Sequence, residues 1–277
     1  MRIRYLSLST TKYAANYFPF LTSYIDRVKS PDTVVEIQGA RVGRIDSFRF
    51  WELLDTVSIL DSVLDAQNRG YDAVAIGNVL DPGLREARSM VDIPVLGLGE
   101  TSMLTACTMG SRFGLIGANK FFGGRFEENV AKYGLTDRLA GISSMALTPH
   151  ELDACFSDPD MRQKAIEAFQ SAARRTMDLG AEVIVPAGGR VAAFLNAHDI
   201  RDVDGALILD GTTALITQTE AAVRLRAAQG SVVSRVRLYA RASPDVMRSA
   251  AEEYAAGYNV PSLQAFVAPE PETGDES

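Results

Sequence analysis

GYDAVAIGN (residues 70–78) and GAEVIVPAG (residues 180–188) align without a gap. Each opens on glycine, runs through an apolar stretch and ends eight residues later, at Asn78 in one copy and Gly188 in the other. About twenty residues further on, each is followed by a second apolar run, VLGLGET (95–101) and LILDGTT (207–213). Self-similarity at this spacing marks a duplicated structural unit. It sets Glu100 and Asp210 at comparable points of the two copies.

Outward from these two stretches, short runs of strand character alternate with longer helix-patterned segments. IRYLSL (3–8), TVVEIQ (33–38), AVAIGNV (73–79), IPVLGL (93–98), FGLIGA (113–118), EVIVPAG (182–188) and ALILDG (206–211) read as strands. Segments 12–28, 51–69, 82–91, 101–110, 122–133, 160–179, 190–198 and 212–228 read as helices. Such alternation builds parallel βα units, and apolar runs without strict alternation suit strands covered on both faces. The expectation is an α/β chain of two pseudo-symmetric parallel-sheet lobes, residues 1–112 plus 213–228 and residues 113–212, around an interdomain cleft. An extension, 229–277, adds SRVRLYARAS (234–243) as a strand and SPDVMRSAAEEYAAGY (243–258) as a helix capped by Ser243. Its end, APEPETGDES (268–277), reads as an acidic, disordered tail.

Composition narrows the function classes. The 277 residues are 47% hydrophobic and 23% charged, the profile of a soluble globular protein of one or two domains. Two cysteines, Cys107 and Cys155, rule out a disulfide framework and suit a reducing cytoplasm. With His150 and His198 the only histidines and no CxxC or HExxH motif, no tightly bound metal is expected. A net charge of −7 opposes nucleic acid and anionic membranes. The apolar run of MRIRYLSLSTTKY is too short for a signal peptide, and no segment reaches the roughly 20 apolar residues of a membrane helix. In ARVGRIDSFRFWELL (40–54), Arg41, Arg44 and Arg49 stand beside Phe48, Phe50 and Trp51. That reads as a carboxylate-anchoring loop, a subunit contact or packing, not a nucleic-acid surface.

Ligands of open parallel sheets bind beyond the C-terminal ends of the strands. Two facing lobes therefore gather Asn78, Gly188, Glu100 and Asp210 around one cleft. Both acids also begin helices, where a carboxylate caps free N–H groups, so capping and catalysis stand as equal readings. Ser9 and Thr10, after the first strand, are candidates to hold a carboxylate or carbonyl, or equally to cap the helix that follows. Gly188 and Gly189 in PAGGR let backbone N–H groups come close to an oxyanion, with the Thr101 and Thr212 hydroxyls nearby. A base must come from Glu100, Asp81 or Asp210, each needing a pKa raised by burial. His198, near a helix C-terminus, and His150, in a first helical turn, are weaker candidates. Tyr13, Tyr17 and Phe18 have the spacing of core packing, though Tyr13 is within reach of the Ser9 loop. The glycines of FFGGRF (121–126) make a lid hinge or a turn.

YDAVAIGNVLDPGL, DIPVLGLGET, GAEVIVPAGG and LILDGTTALITQTEAAVRL resemble the aspartate/glutamate/hydantoin racemase superfamily, its hydantoin racemase branch most closely. The resemblance spans roughly residues 1–228 and implies flavodoxin-like lobes, no cofactor, a small-molecule substrate and a homo-oligomer. It also implies two cysteines, one per lobe, that remove and return a proton on opposite faces of a carbon beside a carbonyl. Those positions fall on Asn78 and Gly188. An amide is no base and glycine has no side chain, so the two-thiol reaction is closed to this chain. Cys107 and Cys155 sit away from strand ends and read as packing residues. The family's Asn-Pro-Asn-Thr loop is likewise altered, to Ser7, Leu8, Ser9 and Thr10. Since superfamily relatives decarboxylate malonates or isomerise maleate, the expectation is enolate or oxyanion chemistry in a lyase, isomerase or hydrolase. The alternatives are a hydrolase of a cyclic amide, imide or lactone using carboxylate-activated water, and a non-catalytic binder of a small acid.

Overall fold

The computed structural model describes residues 1–41, 48–258 and 261–262. In chain order come β1 (Arg2–Ser7), α1 (Tyr17–Val28), β2 (Val34–Gly39), α2 (Arg49–Asn68), β3 (Ala73–Ile76), α3 (Leu84–Met90), β4 (Val95–Gly97) and α4 (Leu98–Met109). Then follow β5 (Phe113–Gly117), α5 (Gly123–Lys132), β6 (Leu139–Ser144), α6 (Pro149–Ala154), α7 (Pro159–Met177), β7 (Val183–Ala187), α8 (Gly189–Ala197), β8 (Asp202–Val203) and β9 (Ala206–Ile208). Helices α9 (Gly211–Gln229) and α10 (Pro244–Tyr258) end the described chain's regular structure.

The strands form two sheets, β2-β1-β3-β4 and β6-β5-β7-β9-β8, parallel throughout except for the antiparallel β8. Without β8 the two orders are the same, each lobe running second, first, third, fourth. The first strand lies between the second and third, so each sheet has a switch point where neighbouring connections leave in opposite directions, and a crevice opens there. All four residues of β3 and all five of β7 are buried, as in strands covered on both faces.

The lobes share a core. One apolar cluster joins Ile3, Tyr5, Tyr17 and Leu21 of the first lobe to Ile116, Phe169, Ile184 and Phe194 of the second. The helices after the fourth strands cross over: α4 packs on β7, α9 on β3 and β4, and the two pack on each other. This exchange fixes the switch points against one another.

Some expected elements differ. β6, LAGISS, lies unread in the sequence because it is a half-buried edge strand of small and polar residues. Helix α1 begins at Tyr17, not near residue 12, because a start that early would put Pro19 inside the helix. The glycines of FFGGRF are the first two residues of α5. The expected strand at 234–243 is an irregular segment with one short 3₁₀ turn, Arg237–Tyr239. Arg88 covers the outer edge of β4 by donating from Nε to the Val95 carbonyl (3.0 Å), so no strand adds there. Arg235 instead binds the Arg88 carbonyl (2.7 Å), the Val91 carbonyl (2.5 Å) and Asp92 (2.8 Å) at the end of α3. The extension thus packs behind the first lobe, with Ser262 meeting Asp61 and Asn68 of α2. Its acidic tail and Arg44 lie outside the described residues. Among the described residues no helix is long and apolar enough to cross a membrane.

Candidate active site

The two switch points face each other across one cleft of about 70 Å³. Ser7, Leu8 and Ser9 reach it from β1, Gly77 and Asn78 from β3, Ala118 from β5, and Ala187, Gly188, Gly189 and Arg190 from β7 and the start of α8. Tyr17, Phe122 and Leu152 complete its walls. A cleft this small admits a ligand of few heavy atoms unless the lobes part, since pockets for drug-sized ligands run to several hundred Å³.

The seam is close. A methyl group on Gly189 would come within 3.2 Å of both the Gly77 carbonyl oxygen and the Tyr17 hydroxyl. One on Gly77 would stand 2.2 Å from Cζ of the fully buried Tyr5 ring. Gly77→Ala is therefore expected to destabilise the fold by about 3 kcal/mol, the upper range for an overpacked core. An unchanged urea midpoint would show that the Tyr5 ring can move aside.

Of the sequence candidates, Asn78, Ser9, Gly188 and Gly189 line the cleft. The Asn78 side chain accepts from Leu80 N (2.8 Å), holding the loop after β3 in a tight turn. The Ser9 amide donates to Ser7 Oγ (3.2 Å). Gly188 is the N-cap of α8, so the first N–H groups of that helix, which have no partner within it, are presented at the cleft wall.

The carboxylates are elsewhere. Glu100 pairs with Arg88, Oε1 accepting at 3.1 Å and Oε2 accepting from NH2, both side chains largely covered. Asp210 caps α9, accepting from Thr213 N (3.0 Å), Asn196 Nδ2 (3.1 Å) and the Tyr24 hydroxyl. Asp81 is 1% exposed and accepts from Gly99 N (2.8 Å), Glu100 N (2.6 Å) and the Tyr133 hydroxyl (2.6 Å). Burial pushes its carboxyl up to about 7, against the pull of Tyr133 and the two amides. The expectation that these acids border the cleft is thus corrected by geometry: each sits at a helix start, Asp81 and Asp210 held by backbone N–H groups and Glu100 by the Arg88 guanidinium. Thr101 and Thr212 are buried in the first turns of α4 and α9, and Thr10 accepts from Tyr13 N (3.3 Å) in the turn before α1.

Burial pushes the Cys155 thiol up to about 12. His198 packs edge-on against Phe194 at 5.0 Å with its pKa lowered by burial, and His150 is exposed. Among the described residues, no three His, Cys, Asp or Glu side chains are grouped to hold a metal ion. In the Arg-aromatic stretch, Arg49 bridges the lobes to Glu128 (2.5 Å) and Phe48 meets Phe121 at 5.5 Å.

Two cleft residues escape the sequence reading. Tyr17 has core spacing and is 1% exposed, yet its hydroxyl reaches the cleft, whereas Tyr13 is exposed. Arg190 follows the glycine pair directly; a cation beside two glycines at a strand end is the signal that marks it.

The sequence matches the profile of the Asp/Glu/Hydantoin racemase family over residues 26–219. The chain belongs to that family. It is 26% identical over 211 residues to a hydantoin racemase of Pseudomonas sp. (strain NS671), covering 75% of this chain and 80% of the relative. Allantoin racemase from Pseudomonas fluorescens superposes with a TM-score of 0.74 at 23% identity, covering 88% of this chain and 98% of that one. Allantoin racemase from Klebsiella pneumoniae superposes with a TM-score of 0.72 at 21% identity, covering 88% and 94%. These likenesses show that this family member has the two-lobed racemase fold.

Proposed function

We propose that the chain is a cofactor-independent enzyme that removes carbon dioxide from a small acid whose carboxylate is on a carbon next to a carbonyl or second carboxyl, through an enolate. One observation carries this reading. The described residues lining the cleft offer a guanidinium, a carboxamide, hydroxyls and backbone N–H groups, but no carboxylate, imidazole, thiol or amine. Racemisation of a hydantoin needs a base to remove a carbon-bound proton, and so does activation of water. Decarboxylation needs none: the C–C bond breaks, its electron pair passes into the enolate, and donors fixed around the oxygen stabilise the developing charge. Asn78, the Ser9 hydroxyl and the N–H of Gly189 at the start of α8 are the donors assigned to that oxygen, the Gly188 N–H being donated to the Pro186 carbonyl (3.0 Å). Hydrolysis by carboxylate-activated water loses support because Asp81, Glu100 and Asp210 are held as caps and ion pairs.

The second reading, an isomerase, is favoured by the relatives named as racemases. Incubation in heavy water with alkyl-, alkenyl- and arylmalonates, substituted hydantoins and maleate, followed by NMR, separates the two. Release of carbon dioxide with one deuteron entering the product is the expected result. Deuterium entering a hydantoin without net conversion would overturn the proposal in favour of a racemase with an unrecognised base, and silence across the panel would favour a binder of small acids.

A further inference from the structure

Protonation of the enolate carbon requires an acid in the cleft, and the assignment of that acid rests on the decarboxylase reading above. We infer that the Tyr17 phenol is the group that delivers this proton, with Arg190 as the cation that receives the resulting phenolate. Tyr17 is placed for the task by the first turn of α1, its ring fixed between Phe18 (5.3 Å) and Phe156 (6.3 Å). Its hydroxyl stands against the Gly189 backbone, at the second-lobe wall where Gly188 offers no side chain. The neighbouring groups that act on the phenol are Arg190, Tyr5 and Ser7. Arg190 is half-buried in the same wall; one of its terminal nitrogens donates to the Pro149 carbonyl (3.2 Å) at the start of α6, and its positive charge acts on the Tyr17 phenol.

Burial pushes the phenol up to about 12, so it stays protonated at neutral pH and serves as donor, not base. An enolate carbon is far more basic than a phenolate, and transfer runs toward carbon. The O–H bond of Tyr17 breaks as the C–H bond forms; the phenolate left behind pairs with Arg190 until water entering the cleft returns a proton. The carboxyl lost as carbon dioxide and the proton gained balance the reaction. Because Tyr17 stands on one wall, the proton reaches one face of a planar enolate. The product of a prochiral acid is therefore handed.

The test uses 2-methyl-2-vinylmalonate, small and activated by its double bond, with the enantiomers of the product acid separated by chiral chromatography. Wild-type protein is expected to give one hand in excess. Tyr17→Phe, which keeps the ring, is expected to lower kcat about 100-fold and to give both hands equally. Tyr254→Phe, altering an exposed ring of α10 away from the cleft, is expected to keep rate and handedness. Near-ultraviolet circular dichroism reports folding. Should Tyr17→Phe fail to fold, Arg190→Leu serves instead: a slower reaction of unchanged handedness supports Tyr17 as donor, and an equal mixture overturns it. A Tyr17→Phe protein with wild-type rate and handedness overturns the assignment while leaving the decarboxylase reading in place. A wild-type protein that releases no carbon dioxide from any malonate overturns both.

Discussion

Cysteine installed at both strand ends, Asn78→Cys with Gly188→Cys, is expected to raise deuterium exchange at the α-carbon of a 5-substituted hydantoin by about 10³-fold over the parent chain. Gly188 has room for the thiol: a Cβ there meets nothing closer than Val191 Cγ2 at 3.7 Å, and its φ of 161° is extended backbone open to any residue. As N-cap of α8 the new thiol faces the positive end of the helix dipole, which lowers its pKa and favours thiolate. The Asn78→Cys change removes the acceptor for Leu80 N and puts a second thiol on the facing lobe. Gly188→Cys alone is expected to exchange the proton of one enantiomer without inverting it, because inversion needs a donor on the other face. Proton NMR in heavy water follows both outcomes. A folded double variant that exchanges nothing would show that positions 78 and 188 do not flank one ligand.

The architecture was legible because it rests on hydrophobic burial at short range. AVAI and VIVPA contain no residue that must face water, and a run of that length flanked by helices becomes a doubly covered parallel strand. The gapless match between the two runs carried the symmetry with it. LAGISS lacked such a signal, since an edge strand needs burial on fewer sides and tolerates serine and glycine. SRVRLYARAS carried a false one. Its alternating apolar residues suit a strand, but arginine side chains satisfied the end of α3 more readily than the backbone could pair with an edge already covered by Arg88.

The site was legible only where the backbone itself makes it. Asn78, Gly188, Gly189 and Ser9 follow directly from strand ends, and they line the cleft. The acids were misplaced because the repeat equates Glu100 with Asp210 but does not say what α4 and α9 pack against. These helices cross to the opposite lobes and bury their first turns on each other, as the close approach of Gly211 to Ser102 records. A carboxylate in that place is spent on a backbone N–H, as Asp210 is, or on a neighbouring arginine, as Glu100 is. Tyr17 depended on a quantity the sequence hides, the residue at which α1 begins; a start five residues earlier turns the same side chain into ordinary core.

The carboxyl of Asp81 carries the second large effect, on stability instead of turnover. Its backbone is held at a φ of 49°, a conformation unfavourable for a residue with a Cβ, and it is kept there by two α4 amides and Tyr133. Glycine at 99 allows this approach, since a methyl there would lie 2.2 Å from the Val79 carbonyl oxygen. The folded-state pKa is raised from 3.8 to about 7, so the folded chain binds the proton more tightly than the unfolded chain does. The stability this contributes is fully present below about pH 3.8 and is lost as pH rises through about 7. At 1.36 kcal/mol for each pH unit, the shift corresponds to a loss of roughly 4 kcal/mol across that window. Urea unfolding between pH 4 and pH 8 measures it against Asp81→Asn, which does not titrate and keeps an oxygen acceptor for one of the two amides, a loss that lowers the variant's stability by the same amount at every pH. The wild-type curve is expected to fall toward the variant as pH rises, since ionised Asp81 loses the advantage of its tightly held proton while the variant has none to lose. Parallel curves would mean that the two amides and Tyr133 hold the carboxylate ionised throughout, and that this loop after β3 is fixed by charge at the helix start and not by a buried acid.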